Sequence, residues 1–193
     1  MNYDYSSPLT FLHREDGSFD FVERLYGRYQ KGFGNEKEFW LGLKLIHTLT
    51  TFKDWGLRIE LETWTGEHYW AEYDHFSVGS EDDWHRAYIS GYNPNSTTPV
   101  DSLGGGEYSI DGLPFSTENR DQDGNPKNCA EDRAGWWYRP SEPCLYIQPL
   151  NKYGNVADTE PSNVRKQHMR YDVDEYNIRA ILKTVTFQLL PPN

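Results

Sequence analysis

An unbroken alternation of apolar and polar side chains runs through residues 57–64, Leu-Arg-Ile-Glu-Leu-Glu-Thr-Trp. Successive side chains of a β-strand point to opposite faces, so this period of two predicts a strand with one buried and one solvent-facing side. Thr65 and Gly66 predict a turn, and residues 68–76 predict the returning strand. One buried and one wet face is typical of antiparallel sheets, so the segment indicates an antiparallel sheet.

Weaker patterns predict further strands. Residues 9–14 alternate loosely and are followed by Glu15-Asp16-Gly17-Ser18. An Asp-Gly pair after a strand-like run is a hairpin signal, so we expect a hairpin there. Residues 86–90 predict another strand, and the β-rich run 180–190 predicts a closing strand before two prolines.

Two short helices are expected against this sheet. Phe21, Leu25 and Tyr29 recur at helical spacing, which predicts a helix over residues 21–31 that glycines end at positions 32 and 34. A second short helix is predicted over residues 45–49. The fold class is therefore α+β: a central twisted antiparallel sheet flanked by short helices, with a loop-rich C-terminal subdomain.

The length of 193 residues suits one domain, which we expect to span residues 1–193. A change of character near residue 91 divides it into a sheet-and-helix part, 9–90, and a loop-rich part, 91–193. Gly, Pro, Asn, Ser and Asp dominate residues 91–128, and long loops inside a domain are usually functional or disordered. Asn95-Ser96-Thr97 within this stretch is a sequon for N-glycosylation at Asn95.

Charge and motifs exclude several classes of function. The net charge of −11 leaves no basic footprint for phosphates, so we expect no nucleic-acid partner, and no apolar stretch is long enough to insert in a membrane. The six histidines show no metalloprotease spacing, and neither a Gly-x-Ser-x-Gly elbow nor a phosphate-binding loop is present. The chain is therefore predicted not to be an enzyme.

The cellular compartment stays open at this level. Cys129 and Cys144 would be free thiols in a reducing compartment and could form one local disulfide outside the cell. The chain opens with Met-Asn-Tyr-Asp-Tyr-Ser-Ser, in which no signal peptide is visible. Either it is a domain of a longer secreted protein, or it is cytoplasmic.

Asp121 and Asp123 flank one residue in a loop that contains Gly, Asn and Pro. A hard divalent cation needs several oxygen ligands, and a turning loop can add backbone carbonyls to two carboxylates. The loop is not an EF-hand, because its glycine is misplaced and no glutamate closes it. Taken alone, the pattern favours a solvated turn over a metal site.

The order of these pieces resembles the fibrinogen C-terminal domain, which fibrinogen chains, ficolins, tenascins and angiopoietins share. The resemblance spans roughly residues 9–145, and residues 180–191 match the family's closing strand more loosely. The runs that carry it are Arg14-Glu-Asp-Gly-Ser-Phe-Asp-Phe, Tyr29-Gln-Lys-Gly-Phe-Gly-Asn, Glu38-Phe-Trp-Leu-Gly-Leu, Leu57-Arg-Ile-Glu-Leu, Ala71-Glu-Tyr-Asp-His-Phe-Ser-Val-Gly, Phe115-Ser-Thr, Asn128-Cys-Ala-Glu and Gly135-Trp-Trp-Tyr.

The resemblance implies a disulfide and one calcium ion. Cys129 and Cys144 occupy the positions of the family's second disulfide, so a bond between them is expected. Asp121 and Asp123 lie eight and six residues before the first cysteine, as the family's calcium ligands do. By position, the backbone carbonyls of Asn125 and Lys127 would complete the ligand set.

A ligand pocket is also implied, with two departures. Asp132, Arg133, Leu145 and Tyr146 lie where the family places this pocket. Members that bind acetylated sugars or peptide ends often carry histidine directly after the second cysteine, whereas this chain has Leu145. The tryptophan-bearing segment that usually follows is replaced by a polar stretch from residue 158 to 177. Both departures argue against transferring acetyl-group specificity.

The resemblance implies an extracellular, secreted recognition module, part of a longer or oligomeric protein. We expect a lectin-like or adhesive domain that binds a glycan or an extracellular protein, with calcium ordering the binding region. The alternative is a signalling ligand or matrix domain that acts by protein–protein contact without a sugar pocket. The family's domain normally begins some tens of residues earlier, so residues 9–21 are expected to expose apolar surface and residues 1–193 to be unstable alone.

Overall fold

The computed structural model describes residues 6–142, 144, 145, 147–155, 168–173 and 178–192. Its helices are α1 (Tyr26–Lys31) and α2 (Leu43–Phe52), and single 3₁₀ turns cover Glu81–Asp83 and Gly106–Tyr108. Its strands are β1 (Leu9–Arg14), β2 (Phe33–Gly34), β3 (Phe39–Trp40), β4 (Trp55–Thr63), β5 (His68–Val78), β6 (Ala87–Tyr92), β7 (Phe115–Ser116), β8 (Trp136–Trp137), β9 (Ile147–Gln148), β10 (Arg170–Val173) and β11 (Ile178–Leu190).

The main sheet has the order β2-β3-β1-β11-β4-β5-β6, and β10 joins it beside β11 and β9. All its strand pairs are antiparallel, which confirms the predicted sheet. The last strand lies at the centre, because β11 pairs with β1 on one side and with β4 on the other. Val185 of β11 is opposite both Arg14 and Leu61. The α+β class is confirmed.

The alternation in residues 57–64 corresponds to the two faces of the sheet. Leu57, Ile59 and Leu61 are buried, whereas Glu60 between them is exposed. β5 continues the pattern, with Ala71 and other inward side chains buried. The predicted strand and its return are therefore confirmed, with the turn at residues 64–66.

Aromatic rings dominate the core and join the sheet to the later loops. Phe11 of β1 packs against Phe76 and Phe187, with ring centroids 5.6 and 5.9 Å apart. Phe115 of β7 packs edge-on against Trp137 of β8 at 5.1 Å. Aromatic pairs add stabilisation beyond the area they bury, so a chain with few aliphatic residues still builds a continuous core.

Helix α2 is longer than predicted, and α1 is shorter. The turn that precedes α2 requires glycine at position 42, where φ is +101° and an added Cβ would lie 2.6 Å from the nitrogen of Gly32. The helix predicted over residues 21–31 begins only at Tyr26. Phe21 is buried under the Arg14 guanidinium, which lies 3.8 Å from its ring centroid, and Leu25 is 61% exposed. The apparent helical spacing of those residues was therefore misleading.

The predicted hairpin at residues 15–18 is wrong, because β1 pairs with β3 and β11 and not with the segment that follows it. The loop instead wraps around the buried carboxylate of Glu38. Oε1 accepts hydrogen bonds from the backbone N–H groups of Glu15 (3.1 Å), Asp16 (3.4 Å) and Gly17 (3.0 Å), and Oε2 accepts one from Phe19 (2.9 Å). A tertiary contact, not local turn chemistry, therefore fixes this loop.

The apolar surface expected at residues 9–21 is not exposed either. Phe11, Leu12 and Phe21 are fully buried. β1 pairs with β11 along its length on one edge, and with β3 at Leu12 and His13 on the other. The instability expected of residues 1–193 alone stays a prediction. Among the described residues, no helix has the length and apolar character needed to span a membrane.

Candidate functional site

The loop that carries Asp121 and Asp123 is held at its start by the rest of the fold. Thr117 and Arg120 exchange backbone hydrogen bonds of 3.1 and 3.0 Å, which forms a tight turn directly before Asp121. The Arg120 guanidinium lies 4.1 Å from the ring centroid of Tyr26 and 4.6 Å from that of Trp84. An arginine between two aromatic faces is a favourable cation–π arrangement. The start of the loop is therefore anchored to α1 and to the β5–β6 connection.

The two aspartates have different environments. Asp121 is exposed, whereas Asp123 is 3% exposed. Asp123 Oδ1 accepts a hydrogen bond from the backbone N–H of Asn125 at 2.7 Å, and Oδ2 accepts one from Cys129 at 2.8 Å. Asp121 Oδ1 accepts a longer bond, 3.3 Å, from the N–H of Asp123. The Asp123 side chain thus fixes the path of the loop from residue 123 to residue 129.

The electrostatics of Asp123 favour a nearby positive charge. Burial raises the pKa of its carboxyl above the ordinary value, and the charge of Asp121 raises it further. Within the part of the chain that the structure describes, neither aspartate forms an ion pair. Two adjacent carboxylates of this kind can be stabilised by a bound cation.

Asn125 and Lys127 contribute main-chain geometry. The side chain of Asn125 accepts a hydrogen bond from the N–H of Lys127 at 2.9 Å. A hard cation here would find two carboxylates and backbone carbonyls, a set of hard oxygens that suits calcium. No group of three or more His, Cys, Asp and Glu side chains able to hold a metal occurs among the described residues. The loop can therefore suit a cation only if carbonyl oxygens supplement the two carboxylates.

The predicted disulfide between Cys129 and Cys144 is present, with 5.9 Å between the two Cα atoms. It joins the end of the aspartate loop to the segment after β8. The backbone N–H of Arg139 donates to the carbonyl oxygen of Cys144 at 2.8 Å and reinforces the same link. Trp136 and Trp137 lie behind this region and are buried, as expected for core residues.

Asp132 and Arg133 line a surface depression beside the disulfide loop. Two adjoining clefts, of about 420 and 360 Å³, share Glu23 and Asp132. We call them together the charged cleft. Its acidic side chains are Asp20, Glu23, Glu118 and Asp132, its basic ones are Arg24, Arg133 and Lys152, and Leu25 lies on its rim.

Two residues that line the charged cleft have left-handed backbone. Glu23 and Asp132 have φ values of +57° and +56°, in the left-handed region that side chains other than glycine rarely adopt. Arg133 Nη1 donates to the carbonyl of Cys129 at 3.1 Å, which holds that wall against the disulfide. Such backbone persists when surrounding contacts enforce it, and it is concentrated at binding sites.

The other predicted pocket residues lie elsewhere or outside the described part. Leu145 is 5% exposed and belongs to the core, so its side chain does not line the charged cleft. Tyr146 lies outside the described residues. The sequence reasoning did not identify Glu23, Arg24 and Leu25 as cleft residues. No local signal marks them, since the helix predicted over 21–31 assigned them a different role.

Asn95 is exposed on a turn beside β5. Its N–H donates to Asn93 Oδ1 at 3.0 Å, and the hydroxyl of Thr97 accepts a hydrogen bond from the N–H of Trp70 at 2.8 Å. The turn is thus anchored to the sheet while the Asn95 side chain faces solvent. An exposed sequon of this kind is compatible with glycosylation.

Sequence comparisons connect the chain to a known domain. The family profile described as "Fibrinogen beta and gamma chains, C-terminal globular domain" matches residues 1–180. Angiopoietin-4 from Bos taurus is 37% identical over 127 residues, 65% of this chain and 24% of the relative. Ficolin-3 from Homo sapiens is 39% identical over 132 residues, 67% of this chain and 42% of the relative. The chain therefore spans less than half the length of these relatives.

Structural comparisons agree. The fibrinogen-like globe domain of human ANGPTL2 matches with a TM-score of 0.83 and 27% identity, covering 100% of this chain and 83% of that domain. A lamprey fibrin D-dimer, solved with the peptide ligand Gly-His-Arg-Pro-amide, matches with a TM-score of 0.75 and 30% identity. That match covers 94% of this chain and 60% of the lamprey chain.

Proposed function

Because the chain belongs to the fibrinogen C-terminal domain family, we propose that it is an extracellular recognition domain that binds an extracellular protein segment in the charged cleft. Domains of this family in angiopoietins, ficolins and tenascins are binding modules without enzymatic activity. The observation that carries the proposal is the cleft itself, in which side chains of both charges surround two residues with left-handed backbone, Glu23 and Asp132.

A protein ligand suits this cleft better than a sugar. Side chains of both signs complement a polypeptide that offers charges of both signs, and the 61% exposed Leu25 adds an apolar anchor on the rim. The lamprey relative with a bound tetrapeptide supports a peptide-type ligand. Lectin-like binding remains the second candidate, supported by the similarity to Ficolin-3.

One calcium ion is proposed to hold the loop that precedes the cleft. The carboxylates of Asp121 and Asp123 and the carbonyls of Asn125 and Lys127 would hold it, and the ion would supply positive charge and no chemistry. Burial raises the pKa of the Asp123 carboxyl and the charge of Asp121 raises it further, and a bound cation would offset both effects. Residues 129–133 follow directly, so calcium and partner are expected to bind with positive coupling.

The test uses calcium-loaded domain on two arrays, one of extracellular protein ectodomains and one of acetylated and non-acetylated sugars. The Glu23→Asn, Asp132→Asn double variant removes two cleft charges, and asparagine tolerates the left-handed backbone of both positions. Glu36→Asn, at an exposed site outside the cleft, is the matched control. Protein ligands that bind wild type and the control but not the double variant would support the proposal. Ligands found only on the sugar array would favour the lectin alternative, and unchanged binding by the double variant would remove the cleft from the function.

A further inference from the structure

The solvent-facing side of α2 carries an apolar stripe. Leu45, Leu49 and Phe52 recur at intervals of four and three residues, so they lie on one face of the helix. Leu45 is 45% exposed and Phe52 is 86% exposed. Leu43 and Ile46, on the opposite side, are fully buried in the core. Leu49 is half-buried and packs against the core, so the stripe residues that the fold leaves exposed are Leu45 and Phe52 at its two ends.

Threonines extend the apolar character of this outer face. The hydroxyl of Thr48 donates to the carbonyl of Lys44 at 2.8 Å, and that of Thr51 donates to the carbonyl of His47 at 2.8 Å. Both side chains are exposed. Because each hydroxyl is bonded back to its own helix, the methyl groups contribute to the surface beside Leu45 and Phe52.

A groove begins where the stripe ends. It has a volume of about 520 Å³ and lies between the end of α2 and the edge strand β6. Phe52 and His75 line it together with Tyr88 and Ile89 of β6. Tyr88 is 42% exposed, so three of the four most exposed large hydrophobic side chains among the described residues belong to the stripe or the groove. We call this combined area the α2/β6 surface.

Charge favours a basic partner for the α2/β6 surface. Two carboxylates, Asp54 and Asp111, line the groove together with Lys53 and His75, and His75 Nδ1 lies 2.9 Å from Asp54 Oδ1. The Lys53 ammonium lies 5.4 Å from the ring centroid of Trp55. The whole chain carries a net charge of −11. A basic segment would approach this face with electrostatic attraction, and an acidic one would be repelled.

We propose that the α2/β6 surface is a second docking site, for a basic protein segment that places an apolar side chain in the groove against Phe52. Its residues do not line the charged cleft, so this inference does not rest on the function proposed for that cleft. Large exposed aromatic residues beside a concave surface are typical anchor points of protein interfaces.

A second copy of the chain is a poorer occupant. A two-fold interface buries the same patch of both copies, so Asp54 and Asp111 of both chains would be brought into one interface. Two chains of charge −11 would also repel each other. A basic partner avoids both costs.

The experiment selects peptides from a random twelve-residue display library on the wild-type domain, with counter-selection on Phe52→Ser. Phe52 is 86% exposed, so this variant keeps the fold, which a thermal melt verifies. Individual peptides are then measured by fluorescence anisotropy against wild type, Phe52→Ser, Asp54→Lys and Leu25→Ser. Leu25→Ser is the matched control, because it removes an exposed apolar side chain from the charged cleft.

The proposal expects enriched peptides with lysine or arginine on both sides of one large apolar residue. Phe52→Ser should weaken their binding about tenfold or more, Asp54→Lys should weaken it several-fold, and Leu25→Ser should leave it within about twofold. No enrichment, enrichment of acidic peptides, or equal binding to Phe52→Ser would overturn the proposal. Sedimentation that shows wild type but not Phe52→Ser as a dimer would overturn it too, because the occupant would then be a second copy.

Discussion

The Asp123 carboxylate accepts a hydrogen bond from the backbone N–H of Cys129 at 2.8 Å, across six residues of loop. The same side chain accepts the N–H of Asn125 at 2.7 Å, and Cys129 is bonded to Cys144. The aspartate therefore organises the loop even before any cation binds. Asp121 is exposed, and its carboxylate accepts the longer bond of 3.3 Å from the N–H of Asp123, so it contributes less to the order of the loop. The two aspartates should consequently respond differently to substitution.

Asp123→Ala is expected to lower the free energy of unfolding in chelator by about 1–3 kcal/mol, because it leaves backbone N–H groups without their acceptor. Asp121→Ala should change it by less than about 0.5 kcal/mol, as is usual for an exposed residue. Both variants should lose the calcium-induced rise in melting temperature that we expect of wild type. Urea unfolding and thermal melts with and without calcium measure both effects.

Gln122→Ala, between the two aspartates, is the control and should keep the calcium response. Calorimetric titration of calcium into chelated wild type tests the site directly. Absence of binding heat and of any shift in melting temperature at millimolar calcium would remove the metal site. The difference in stability between the two variants in chelator would then still report the structural role of Asp123.

Local patterns predicted the strands β4, β5 and β11 well, because alternation and β-rich composition are properties of the segment itself. The central position of β11 was not predictable in this way, since pairing with β1 joins residues about 175 positions apart. The loop at residues 15–19 was mispredicted for the same reason. Its partner is Glu38, and nothing in the local run Glu38-Phe39-Trp40 shows that this carboxylate would be buried.

The candidate site, like the fold, was only partly predictable from the sequence. The spacing of Asp121 and Asp123 from Cys129, together with the family resemblance, was enough to identify the loop and the disulfide. The charged cleft was only half visible, through Asp132 and Arg133. Its other wall includes Glu23, whose left-handed backbone no propensity of glutamate favours.

Glu38→Ala is expected to lower the free energy of unfolding by about 3–5 kcal/mol, because it leaves the Arg14 guanidinium buried without its counter-ion. Arg14 and Glu38 are 1% and 0% exposed, with 3.3 Å between Nε and Oε1. The substitution also removes the acceptor of four backbone N–H groups in residues 15–19. Urea unfolding of the purified domain measures the loss.

Glu36→Ala, two residues earlier and exposed, is the matched control for Glu38→Ala and should stay within about 0.5 kcal/mol of wild type. Comparable small losses for both variants would show that the loop does not depend on the buried carboxylate.

Asn95 is expected to carry an N-linked glycan when the chain is produced through a eukaryotic secretory pathway, because the Asn95 side chain is exposed in an Asn-Ser-Thr sequon. Intact mass before and after treatment with a peptide N-glycosidase detects the glycan. Asn95→Gln should remove the mass difference, whereas Asn35→Gln, outside any sequon, should retain it. A wild-type mass equal to that of the bare polypeptide would contradict the prediction.

Acidification should destabilise the domain through His85. This side chain is 1% exposed, with Nδ1 2.9 Å from the carbonyl oxygen of Gly79 and Nε2 3.4 Å from the side-chain nitrogen of Gln30. The carbonyl requires Nδ1 to carry the proton and the amide donor requires Nε2 to accept, so the partners select neutral histidine. Burial lowers the pKa of His85 below 6.5. The unfolded chain therefore binds more protons below that pH. The free energy of unfolding should fall as pH decreases from about 6.5 towards the lowered pKa, and this residue should contribute no pH dependence above pH 6.5.

The test variant is His85→Asn, because asparagine tolerates the φ of +48° at this position. It should show a lower melting temperature at pH 8 and a shallower decline in stability between pH 7 and pH 5. Thermal melts in chelator across this range provide the comparison, because chelator removes any pH dependence of calcium binding. Parallel declines for wild type and His85→Asn would assign the acid sensitivity to other groups.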